Sequence, residues 1–460
     1  MSHPALIRIY FLAISALPLA ACSLAPPYVR PEPPVPAELG AADDAAADGM
    51  FGTGWRDFFT DQRLMALIEA GLETNRDLRL AALAVAEARA RARLQNAERL
   101  PTLEVEGSDT YSGTLQKGAG QANRFEAAGL ASFELDLFGR LRSLSEAALH
   151  AYLGAREGEK AVRIALVAQV ARAYLAERLA EEQLGVARNT LKLLRESYAF
   201  INSRIQAGQA SFLDLEQARS MTESARASVA QREREAIQSR TALQLLVGDF
   251  SELPLPPAVP LARQSLAALP PGVSSGVLLN RPDIMEAEHK LMAANADIGA
   301  ARAAFFPSIS LTGRLGYMSD DLRTLISPGA SFWSFSPTVS LPIFTGGRNR
   351  ANLELAEIRK ESSIVEYEKS IQTAFREAAD ALLSRASFID QLAGQERYLA
   401  IQRQVMELAL NRYVNGAVSY LEVLDAQRNI FQAEQDLLML RRDQLLNEIN
   451  LYSALGGGLR

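Results

Sequence analysis

One unit, present twice, limits what this chain can become. Asn75-Arg76 and Asp77 reappear as Asn280-Arg281 and Asp283, and Pro101 reappears as Pro307; the last two pairs are 206 residues apart. Leu137-Phe138 matches Ile343-Phe344 at the same offset. Further on the offset becomes 208: Arg204 with Arg412, Gly208 with Gly416, Ser211-Phe212-Leu213 with Ser419-Tyr420-Leu421, and Ala218 with Ala426. A near-constant offset held over so much sequence marks a tandem duplication, and each copy is one supersecondary unit.

Each copy reads as helix, strand, loop, strand, long helix, tight turn, helix. In copy one the first helix covers roughly 62–99 and is closed by Pro101, strands follow at 102–111 and 125–137, a long helix covers 140–206, and Gly208 turns the chain into a helix at 211–247. Copy two has the same elements at 282–305, 308–317, 333–343, 349–414 and 419–455. The domain plan is therefore 1–21 leader, 22–60 tether, 61–248 repeat one, 249–275 connector and 276–460 repeat two. The Pro-rich run 254–271 is expected to lie outside the main helical body.

The strands alternate with period two. Leu103, Val105 and Gly107 oppose Thr102, Glu104 and Glu106, while Phe125 through Leu137 alternate with Glu126, Ser132, Glu134 and Asp136. Ile309, Leu311, Leu315 and Tyr317 oppose Ser308, Ser310, Thr312 and Arg314. Their length suits tilted membrane strands of about 9–11 residues, though a soluble sheet with one wet face alternates in the same way. Four strands cannot close a membrane barrel, and an open edge in lipid is forbidden. If the strands are in a membrane, several copies must share one barrel, and three copies supply twelve strands.

The helices point the same way. A helix near 65 residues is roughly 100 Å long, a coiled-coil length. Leu166, Ala173, Ala180, Ala187, Leu194 and Ile201 recur every seven residues, as do Leu424, Phe431, Leu438, Leu445 and Tyr452. Together these features give a long α-helical tube, under a β-barrel shared by several copies if the strands are in a membrane.

The N-terminus fixes a compartment. An apolar run from Ile9 to Ala21 ends in Leu19-Ala20-Ala21-Cys22, a signal peptide whose last residues resemble the bacterial lipobox. Cys22, the only cysteine, would carry acyl chains, and Ser23 fits outer-membrane sorting. A Pro-rich tether from Pro26 to Pro36 and an Ala-rich acidic stretch then lead to the folded body.

Composition removes other function classes. Net charge is -6, so no basic field for nucleic acid exists. Three His and one Cys exclude the usual zinc frameworks and an intrachain disulfide. His3 leaves with the leader; His150 and His289 fall in helical stretches and are expected to lack a metal-binding neighbour. Nucleophile elbows and phosphate loops are absent. The chain is expected to be neither an enzyme nor a metal or cofactor protein.

The lipobox, the duplication, and above all Arg412-Tyr413, Gly416, Ser419-Tyr420-Leu421, Val423-Leu424-Asp425-Ala426-Gln427-Arg428 and Asn450-Leu451-Tyr452 with Ala454-Leu455-Gly456-Gly457-Gly458 resemble the outer-membrane factor proteins, the TolC-like exit ducts of bacterial efflux pumps and type I secretion systems. The lipidated branch is the NodT type, coupled mostly to resistance-nodulation-division pumps. The resemblance implies a mixed membrane α/β fold: a lipid-anchored homotrimer whose twelve-stranded β-barrel in the outer membrane is continued by a long α-helical coiled-coil tunnel in the periplasm. Its implied partners are a periplasmic adaptor and an inner-membrane resistance-nodulation-division transporter, and its implied role is passive export of small toxic compounds. The alternative within the family is a duct for type I protein secretion.

On that resemblance the turns at Ala207–Ser211 and Asn415–Ser419 become the closed periplasmic end, and Gly208, Ala210, Ser211, Gly416, Ala417 and Ser419 become adaptor-docking tips. Leu421, Asp425 and Arg428 become the gate, with Asp425 a carboxylate ring and Leu421 an apolar plug; taken alone, Asp425 and Arg428 are an ordinary i,i+3 surface pair. Copy one carries Gln217 opposite Asp425 and Ser220 opposite Arg428, so the gate chemistry is asymmetric. Glu104, Glu106, Glu126, Glu134, Asp136 and Arg314 are candidates for the barrel lumen, and Ser112–Asn123 and Met318–Ser331 for the outer loops.

Overall fold

The structure, a computed structural model, describes residues 24–36, 38–40, 54–113, 122–251, 253–269 and 272–457. Cys22, the leader, and most of the loop Ser112–Asn123 lie outside the described residues. In chain order the elements are β1 (Glu38–Gly40), α1 (Trp55–Phe58), α2 (Gln62–Thr74), α3 (Arg76–Ala97), β2 (Thr102–Ser112), β3 (Ala122–Leu135), α4 (Arg140–Gln206), α5 (Phe212–Val247), β4 (Gly272–Ser274), α6 (Ser275–Leu278), α7 (Pro282–Ala303), β5 (Ser308–Ser319), β6 (Ser331–Ser340), α8 (Arg348–Val414) and α9 (Tyr420–Ala454). The two long helices, α4 and α8, have 67 residues each.

The chain divides into two compact units. The first gathers Met1–Glu32, Leu83–Arg156 and Glu286–Glu368, and the second the remaining segments. In the first unit β2, β3, β5 and β6 form one antiparallel sheet in that order. The N-terminal segment is pinned along α7: Asn295 donates to the Pro26 carbonyl at 2.8 Å, Arg302 to that of Leu24 at 3.3 Å, and both Tyr28 and Arg30 bind the buried Glu288 carboxylate. Its irregular backbone therefore lies against a built surface.

The second unit holds a large apolar core, including Phe58, Phe59, Leu67, Tyr174, Leu243, Leu278, Ile449 and Tyr452. Phe58 stacks flat on Tyr452 with ring centroids 4.1 Å apart. The heptad stripes contribute Leu166, Leu438 and Tyr452 to this core, while Ile201 and Leu424 of the same stripes pack in a second cluster, and Ala187 and Leu194 are buried between the two along α4.

Three expectations change. The first helix of copy one is two helices, because Asn75 accepts from the amides of Asp77 and Leu78 at 2.9 and 3.1 Å, an N-cap that starts α3 afresh. Asn75 also donates to the Leu246 carbonyl at 3.0 Å, so the break is tied to the end of α5. The connector is not peripheral: Leu261 and Leu269 are in the core. Trp55, Phe58 and Phe59, assigned to the tether, are core residues as well.

Candidate channel lining and periplasmic tip

Register turns the period-two pattern into two distinct surfaces. Val105, Gly129, Leu315 and Trp333 stand side by side across all four strands, as do Leu103, Ala131, Gly313 and Phe335. This face is bare: Val105 is 91% exposed, Leu315 70% and Trp333 77%. An apolar surface this continuous marks an interaction site or a membrane-facing wall. The sheet ends in β2 on one side and β6 on the other, each paired on one edge only. Among the described residues no helix is long and apolar enough to cross a membrane.

The opposite face collects charge. Arg314 on β5 reaches Glu126 on β3 at 2.9 Å and Glu106 on β2 at 3.2 Å. Glu104 shares a cross-strand row with Arg314 through Leu130. These four residues, spread over 211 positions from Glu104 to Arg314, stand on one face. Glu134 and Asp136 do something else. Glu134 pairs with Arg140 at 2.8 Å, and Asp136 lies beyond the end of β3, where it accepts from the Arg142 amide at 2.7 Å. Both brace the start of α4, and Asp136 is not a strand-face residue: β3 stops at Leu135, two residues before the expected end.

At the other end of the helices, two turns of matching design sit together. Gly208 and Gly416 have φ of 72° and 73°, the left-handed conformation that glycine adopts without penalty. In each turn the glycine amide donates three residues back, to Ile205 or Tyr413, and the next amide donates to Arg204 or Arg412. This is the bonding that ends a helix cleanly and sends the chain into the next one. Ala210 packs beneath, against a cluster of Ile201, Ala218, Tyr413, Tyr420, Val423, Leu424 and Ala426.

Polar contacts lock the cluster. The Ser197 and Tyr420 hydroxyls are 2.6 Å apart, and the Tyr413 hydroxyl donates to Asp214 at 3.4 Å. Arg204 lies over the Tyr413 ring, 5.3 Å from its centroid. Burial raises the Tyr413 and Tyr420 hydroxyls above the usual phenol range. Ser211 accepts from the Asp214 amide at 3.1 Å in a capping box, whereas Ser419 makes no side-chain cap bond.

Leu421, Asp425 and Arg428 fall at i, i+4 and i+7 on α9, one stripe on the helix. They point away from the buried tip cluster: Leu421 is 51% exposed, and the Asp425 and Arg428 side chains 50% and 67%. Arg428 donates to Asp425 at 2.9 Å. Within one chain this is a solvent-facing pair contributing a few tenths of a kcal/mol. Gln217 is half-buried on α5, and the neighbouring Glu216 lies 3.7 Å from Arg219.

One pairing was invisible in the sequence. His150 on α4 and His289 on α7, 139 positions apart, bring their Nδ1 atoms to 3.2 Å, so one ring donates and the other accepts. Burial and the neighbouring ring hold His150 below the ordinary imidazole range. Gly154, one turn further along α4, makes room, since a Cβ there would meet the Cβ of His289 at 3.4 Å. Among the described residues no three His, Cys, Asp or Glu side chains are grouped to hold a metal.

A family model described as outer membrane efflux protein matches residues 67–249 and 273–457. The cation efflux system protein CusC of Escherichia coli strain K12 is 48% identical over 446 residues, covering 96% of this chain and 98% of that protein. The probable outer membrane lipoprotein SilC of Salmonella typhimurium is 44% identical, covering 98% and 99%. The crystal structure of the open state of the Neisseria gonorrhoeae MtrE outer membrane channel superposes with a TM-score of 0.87 at 39% identity, covering 95% of this chain and 99% of that one.

Proposed function

This chain belongs to the outer membrane efflux protein family, and on that premise we propose how its residues build the duct. It is an outer-membrane exit channel for an efflux pump, its sheet in the membrane and its helices extending into the periplasm. The observation that carries the rest is the sheet itself: four strands, one bare apolar face, and an unpaired edge on each side. Such edges cannot be left open in lipid. Three copies joined β6 to β2 give a closed twelve-stranded barrel, with the Trp333 and Val105 face toward lipid and Glu104, Glu106, Glu126 and Arg314 toward the lumen.

Cys22 carries the lipid anchor, a reading supported by the lipobox and by the likeness to a protein named as an outer membrane lipoprotein. The duct is passive. Solutes arrive from an inner-membrane resistance-nodulation-division transporter through a periplasmic adaptor, which docks on the tips at Gly208, Ala210, Ser211, Gly416, Ala417 and Ser419. The exposed side chains of Phe212 and Leu213 support docking there.

Leu421, Asp425 and Arg428 form the gate. Their shared stripe, turned away from the tip core, supports a position at the threefold axis, where three copies bring charge-assisted hydrogen bonds together. Conductance of the purified mature protein in planar bilayers tests this. The wild type is expected to be nearly closed, and Asp425→Ala with Arg428→Ala to open it. Unchanged conductance from a normally assembled double variant removes the gate assignment, and no pore in either form removes the duct.

A further inference from the structure

A cluster of positive charge lies outside every residue assigned to the channel. In the first unit a cavity of about 580 Å³ opens between the C-terminal half of α3 and the start of α4. Its walls carry four arginines, Arg89, Arg93, Arg99 and Arg142, against a single carboxylate, Glu146. Arg89 and Arg93, one turn apart on α3, make no hydrogen bond or ion pair among the described residues. Arg91, between them on α3, is paired with Glu87. Guanidinium groups gathered around one cleft repel each other, and an anion in the cleft relieves that repulsion.

Two further features select the anion. The cleft is close to the sheet along the chain: Arg99 stands three residues before β2, and Arg142 seven residues after β3. At 1.5 Å per helical residue, even Arg89 is within about 20 Å of the first strand. Apolar side chains also border the charge. Leu149 lines the cavity, and Leu94 and Leu100 are exposed on the same stretch of chain. Arginine forks match phosphate oxygens in a bidentate manner, and basic pockets beside membrane-spanning elements are suited to phosphorylated lipid heads.

We propose that this cleft seats the phosphate of an anionic phospholipid from the periplasmic leaflet of the outer membrane, held by Arg89 and Arg93 with Arg99 and Arg142 around it. Leu149 and Leu94 give the acyl chains an apolar border to leave by. One such lipid per chain binds the helices just below the barrel to the leaflet itself. The proposal rests on the sheet being in the membrane.

The test uses the full mature protein in detergent, examined by native mass spectrometry with added phosphatidylglycerol or phosphatidylcholine, and with insertion into liposomes scored separately. Wild type is expected to retain phosphatidylglycerol, one per chain, and to release phosphatidylcholine. Arg89→Gln with Arg93→Gln should bind phosphatidylglycerol about 25-fold more weakly, at roughly fivefold per arginine, while Arg89→Lys with Arg93→Lys keeps most of the binding. Equal retention of the two lipids, or equal retention by wild type and the glutamine variant, overturns the proposal. So does displacement by soluble glycerol phosphate at concentrations matching the lipid, which makes the cleft a site for free phosphate. Wild type that fails to enter liposomes overturns the membrane assignment beneath it; wild type that inserts but retains no phosphatidylglycerol overturns the lipid site alone.

Discussion

The two halves of the duplication share a backbone and use it in opposite ways. Both tips turn on a left-handed glycine with the same hydrogen bonds. Yet Tyr420 is 1% exposed, locked to Ser197, while its counterpart Phe212 is 70% exposed. The contrast continues along the long helices. At matching positions α4 carries Glu177, buried, with neither carboxylate oxygen hydrogen-bonded and Arg178 at 3.8 Å, and α8 carries Arg385, hydrogen-bonded to Glu448 at 2.7 Å. Duplication preserved what the chain needs to turn and coil, and left the side chains at matching positions free to diverge.

The sharpest break in that comparison is at the tips. Tyr420→Ala should destabilise the end of α9 by about 3–5 kcal/mol, the usual cost of an aromatic cavity, read as loss of amide-exchange protection over its first turns. Phe212→Ala should change stability by less than about 0.5 kcal/mol, as expected for an exposed side chain. Equal effects would mean that the two aromatic positions play one structural role after all.

Glu177→Gln tests the helices. Burial raises the Glu177 pKa, so the native state holds its proton more tightly than the unfolded chain does. Its contribution to stability is therefore fully present below the unfolded value, near 4.5, and is lost as pH rises through the raised folded value. The variant, which never ionises, should match wild type near pH 4 and be the more stable of the two at pH 8. Thermal unfolding across that range checks the crossing; a constant offset would deny Glu177 any buried charge.

Smaller effects should restore the symmetry. Gly208→Ala and Gly416→Ala should each cost about 1 kcal/mol, because an L side chain strains a positive φ, and they should cost it equally. Ser211→Ala should cost about 1 kcal/mol by removing its cap, while Ser419→Ala, with no cap bond to lose, should be close to neutral. Chemical denaturation of the four variants separates shared backbone geometry from divergent capping.

How much of this was readable in advance depends on how local the cause is. The tip glycines, the heptad stripes and the alternating strands follow from spacing along the chain, and so does the Asp425–Arg428 pair. The split of the first helix is not local in cause: Asn75 matches Asn280, but its carboxamide caps α3 and also holds the distant Leu246 carbonyl. Asp136 was assigned to a strand face because alternation runs on past the point where the ladder ends.

The sequence by itself determined the duplication, the order of the repeated strands and long helices, the turns between the paired helices and the alternation of each strand. Each is fixed by periodicity or by a residue's own backbone preference, which short stretches carry. Only the tertiary structure decided that Arg314 joins Glu126 and Glu106, that His150 meets His289, that the connector enters the core, and that Arg89 and Arg93 of α3 share one cavity with Arg142 of α4. Those contacts depend on strand register and on the rotation of each helix about its axis, and both are set only when distant segments pack.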